Sequence, residues 1–193
     1  MNTQQIPAIL LILGFVLILV ATIIQPPGLY KEKESNRQLE LISNHSARWI
    51  FSNLFYALAA LVTAGGLTLF SLQFRGSENM WLAGAGSAAY ILGAIVYAIF
   101  LCRRTIDPAS IFMDYRFSPL TAILLGSLVI GLLLYGMLFL QVGYPRWLGL
   151  SLIAGMLLTG GAALFFPEPF FKSFPVQALY LFTLVTGIVM LMQ

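Results

Sequence analysis

Six stretches of this chain contain no Asp, Glu, Lys or Arg, and each is long enough to cross a bilayer: 6–24, 49–72, 80–101, 120–140, 147–166 and 176–192. They hold 19, 24, 22, 21, 20 and 17 residues, and a helix needs about 17–25 to cross the hydrocarbon. All 17 charged residues fall among the other 70 positions of the 193. A charge at the centre of a membrane helix costs about 2.5–3.5 kcal/mol on insertion scales. Such segregation is what a chain surrounded by lipid tails requires. The composition agrees, being 60% hydrophobic and 9% charged with a mean hydropathy of +0.91. One core of this size cannot hide so much apolar surface from water. The fold class expected is all-α integral membrane, a six-transmembrane-helix bundle with short loops forming a single membrane domain over 1–193. The longest connection, 25–48, has 24 residues, too few for a soluble domain of its own.

The first stretch reads as a true span. The five residues before it carry no Lys or Arg, and the segment after it offers no small-x-small cleavage site, so the marks of a cleaved signal peptide are missing. Sidedness follows from the bases. Loop 1 holds Lys31, Lys33, Arg37 and Arg48, loop 3 holds Arg103, Arg104 and Arg116, and loop 5 holds Lys172. The opposite side has only Arg75 in loop 2 and Arg146 in loop 4. This bias puts loops 1, 3 and 5 in the cytoplasm and both termini on the non-cytoplasmic side of an inner or plasma membrane. Trp49, Trp81 and Trp147 each begin a span, with Tyr30, Tyr115 and Tyr144 just outside one, as interfacial anchors do. The net charge of +3 is an orientation signal and not a nucleic-acid footprint, because bases are interleaved with acids and split by spans.

In loop 1, Leu39, Ile42 and Trp49 share a helical face, so 31–48 reads either as a short amphipathic helix or as a solvated linker. In loop 3, Asp107 followed by Pro108 suits the start of a surface helix carrying Ile111, Phe112 and Tyr115. The arginines Arg103, Arg104 and Arg116 with Asp107 and Asp114 form the densest charge group. They suit contact with a lipid headgroup or a partner, beside the plainer roles of capping and pairing. Loops 2 and 4 are tight connectors.

Helices in lipid associate through small residues and hydroxyls. Ser52, Tyr56, Ala59, Thr63 and Gly66 form such a stripe on span two, and Ala83, Ser87, Tyr90, Ala94 and Tyr97 on span three. Span four offers Ser127, Gly131 and Tyr135, span five Ser151, Gly155, Thr159 and Ala162, and span six Thr183 and Gly187. Span one has only Gly14 and Ala21, which suggests a peripheral place. The interior polar set is Ser52, Asn53, Tyr56, Tyr90, Tyr97 and Tyr135. These residues suit a cavity for a neutral or amphipathic ligand, or hydrogen bonds between helices, and the second reading needs fewer assumptions. Arg-Trp followed by Thr and Gly-Gly occurs in spans two and five, the layout of an inverted 3+3 repeat, although both motifs are common in membrane helices.

Catalytic and cofactor chemistry finds no footing. The spans hold no ionisable coupling group, His45 is the one histidine and lies in loop 1, and every lysine is in a loop. Cys102 stands alone beside two arginines, a setting for lipidation but not for a metal. Neither a metal site nor a cofactor is expected, and no catalytic residue is assigned. The expected function is a multi-pass accessory, assembly or sensing component, with the lipid bilayer and either another membrane protein or a cytoplasmic protein as partners through loops 1 and 3, and no nucleic acid. The alternative is a carrier or channel for an uncharged or lipophilic molecule. An interfacial enzyme using Asp107, Asp114 and the arginines comes third.

Overall fold

A computed structural model describes residues 5–29, 31–32, 34–109, 119–165 and 177–192. The chain is all-helical there, with seven helices: α1 (Gln5–Ile24), α2 (Ser35–Asn44), α3 (Ser46–Leu72), α4 (Met80–Ile106), α5 (Pro119–Gln141), α6 (Arg146–Phe165) and α7 (Gln177–Leu191). Four are long and apolar enough to cross a membrane: α1, α3, α4 and the Ala122–Gln141 part of α5. Arg146–Ala162 of α6 and Leu179–Leu191 of α7 are shorter apolar helical stretches. Long apolar helices that bury half or less of their residues fit a membrane protein, because lipid rather than water meets the rest.

Each tight connection is made where the backbone needs a residue without Cβ. Gly76 and Gly143 both take φ of +80°, in the α3–α4 and α5–α6 turns respectively. Connections this short return the next helix antiparallel beside the last. In the packing, α1 lies between α3 and α7, α3 meets α4, α4 meets α5, and α5 meets α6. Small residues let the backbones close. A Cβ on Gly187 of α7 would stand 2.9 Å from the Ala8 carbonyl oxygen of α1, and one on Gly149 of α6 would stand 2.7 Å from that of Gly136 of α5.

Span one is therefore less peripheral than its composition suggests. It buries 33% of its apolar window against 50% for α3, yet it is gripped on two sides. Ala8, Leu11, Ile18 and Ala21 are fully buried, because Gly66 and Gly187 on the neighbours supply the small residues that α1 lacks. Span five is a second correction. Ser151, Gly155, Thr159 and Ala162 are only half-buried, and α6 packs instead through Leu148, Gly149, Leu152 and Met156. The expected stripes on α3, α4, α5 and α7 are all buried.

Loop 1 contains a real helix, α2, which ends one residue before α3 at the break of His45. Loop 3 begins later than expected. α4 continues to Ile106 and Asp107 closes it, its N–H donating to the Arg103 carbonyl at 2.8 Å. Arg103 and Arg104 then lie in the last turn, where cations face the negative end of the helix dipole. Most of the surface helix expected after Asp107, with Asp114 and Arg116, lies outside the described residues, as does loop 5. The two halves of the chain also pack differently. Gly66 of α3 presses on α1, whereas its counterpart Gly161 on α6 meets nothing within 4 Å.

Candidate functional site

The six interior polar residues do not converge on one point. They divide into three groups stacked along the bundle, from the end that carries α2 to the end that carries the α3–α4 turn.

At the α2 end, Asn53 of α3 donates from Nδ2 to Thr105 Oγ1 of α4 at 3.0 Å, and Thr105 donates on to the Leu101 carbonyl at 2.7 Å. Asn53 Oδ1 is buried with no hydrogen-bond partner among the described residues. One turn earlier, the Trp49 indole donates to the Arg104 carbonyl at 3.3 Å, and the Arg104 guanidinium lies 4.3 Å from the centre of the Trp49 ring. Trp49 is thus not an interfacial anchor. It is 2% exposed, whereas Trp81 and Trp147 are 62% and 55% exposed as such anchors should be. Ser52 is fully buried and returns its hydroxyl to the Trp49 carbonyl at 3.1 Å.

Beside this clamp, Tyr56 ties α3 to the end of α1. Thr22 gives its hydrogen to the Ile18 carbonyl at 2.8 Å, so in the 3.0 Å contact between Thr22 and Tyr56 the phenol donates. Tyr56 in turn accepts from Gln25 Nε2 at 2.8 Å. The chain is directed and complete, Gln25 to Tyr56 to Thr22 to Ile18. Next to it, α2 lies against the start of α3. Gln38 donates to the carbonyls of Glu32 at 2.8 Å and Leu29 at 3.3 Å, and Leu29, Ile42 and Trp49 form a small buried cluster. The outward face carries Arg37, paired to Glu34 at 3.2 Å, with Glu40 and Arg48 exposed.

Midway, Tyr90 and Tyr97 of α4 and Tyr180 of α7 are buried in the common core. At the far end, Tyr135 of α5 donates to the Leu67 carbonyl of α3 at 2.9 Å and lies 2.7 Å from Ser71 Oγ. Thr68 gives its hydrogen to the Ala64 carbonyl, so Ser87 of α4 is the donor in their 3.0 Å contact. Phe70, Phe74, Phe139 and Tyr144 pack around this group, with ring centroids of neighbours 5.0–5.9 Å apart. The Tyr144 hydroxyl is buried without a partner among the described residues, and burial pushes its pKa up to about 12.

Of the headgroup set, Arg103 and Asp107 are exposed at the end of α4, and Arg104 is occupied with Trp49. Sequence reasoning missed the partners Thr22, Gln25, Thr105, Thr68 and Ser71, and the buried Tyr180. For all but Thr105, which follows Arg103 and Arg104, the available signal was a polar residue inside or at the rim of a charge-free stretch, where a lone hydrogen-bonding group needs a mate. Among the described residues no group of His, Cys, Asp and Glu is placed to hold a metal ion. No family model matches the chain, and neither a curated protein nor a solved structure matches it.

Proposed function

We propose that this protein is a six-span component of the cell membrane, with both termini outside, that acts through its cytoplasmic end as an accessory, assembly or sensing subunit. One observation carries this reading. Several polar residues of the bundle tie neighbouring helices together through hydrogen bonds to one another and to backbone carbonyls, while loop 1 is folded into a helix lying against the start of α3 with Glu34, Arg37 and Glu40 exposed. Interhelical hydrogen bonds in membranes contribute about 0.6 kcal/mol each on average, which suits a scaffold that holds a surface in place. The partner would be a cytoplasmic protein or a second membrane protein meeting α2 and the end of α4.

The test is purification in mild detergent of the protein and of a variant with Arg37→Glu, Glu40→Lys and Arg48→Glu. A stoichiometric partner retained by the first and lost from the second supports the reading. A monodisperse homomer in both preparations defeats it. A second reading, a carrier for an uncharged or lipophilic molecule, is favoured by the half-open face of α6 that bears Ser151, Gly155 and Thr159.

A further inference from the structure

We draw no further inference here: the strongest candidate, the side-chain cluster of Trp49, Asn53, Arg104 and Thr105 where the start of α3 meets the end of α4, leaves the buried Asn53 Oδ1 without a donor, but nothing among the described residues shows an opening that reaches this acceptor or what would supply the donor.

Discussion

Gly131 shows what a single residue decides in this bundle. A Cβ there would stand 3.0 Å from the Tyr90 nitrogen and 3.1 Å from the Gly86 oxygen, both backbone atoms that cannot step aside. Overpacking typically costs 1–3 kcal/mol, so Gly131→Leu should lower the melting temperature in detergent far more than Leu133→Ala, whose side chain is half-buried. Equal melting of the two variants would refute the α4–α5 interface. Two tyrosines make a second contrast. Tyr135→Phe removes the hydroxyl that ties α5 to the Leu67 carbonyl and Ser71 of α3 and should destabilise, whereas Tyr144→Phe removes a buried hydroxyl that has no partner among the described residues and should leave stability equal or higher. Tyr144 also fixes a pH dependence. Its folded pKa of about 12 exceeds the ordinary 10.0, so the neutral phenol's contribution is full below pH 10 and is lost as pH climbs from 10 towards 12. Melting curves across that window should fall less steeply for Tyr144→Phe than for the parent chain. At this scale the sequence was readable where a residue's role depends on its own helix. The buried stripe of α4 follows from helical spacing alone. Trp49 was misread because its role is set by Arg104, 55 positions away, which no local pattern reveals.

Among the elements, α2 is the one most distinct from a membrane span. Its ten residues join the small cluster of Leu29 and Trp49 through Leu41 and Ile42, and Gln38 ties it to two carbonyls of the preceding segment. Gln38→Ala should leave the melting of the bundle nearly unchanged and increase hydrogen exchange at 29–44. Unaltered exchange there would mean that α2 is held some other way. The amphipathic spacing of Leu39 and Ile42 suggested this helix, but spacing could not separate a helix from a solvated run, since the deciding contacts come from Leu29 and Trp49 outside it. α6 failed as a sequence reading for the opposite reason. Its small residues looked like a packing face, yet the large residues Leu148, Leu152 and Met156 face α5, where Gly136 makes the room. A small residue on one helix and a large one on its neighbour pack as well as the reverse, and only the partner tells which arrangement holds.

For the whole molecule, the exclusion of charge from six stretches was enough to read the helical class, because hydrocarbon penalises ions wherever they fall. Which helices touch was not legible. Apolar faces in lipid carry no preference for one another, so neighbours are chosen by glycine placement and by hydroxyl pairs such as Ser71 with Tyr135, 64 residues apart. The central claim is that six helices cross the bilayer with the α2 end inside, and cysteine accessibility in intact cells tests it most directly. Cys102 is the chain's one cysteine and its thiol is exposed at the α2 end. A membrane-impermeant maleimide should leave native Cys102 unlabelled until the cells are permeabilised. In Cys102→Ser chains it should label Ser77→Cys and Gln141→Cys in intact cells, because both turns stand on the opposite side. Labelling of Cys102 in intact cells, or protection of either turn, would contradict the account.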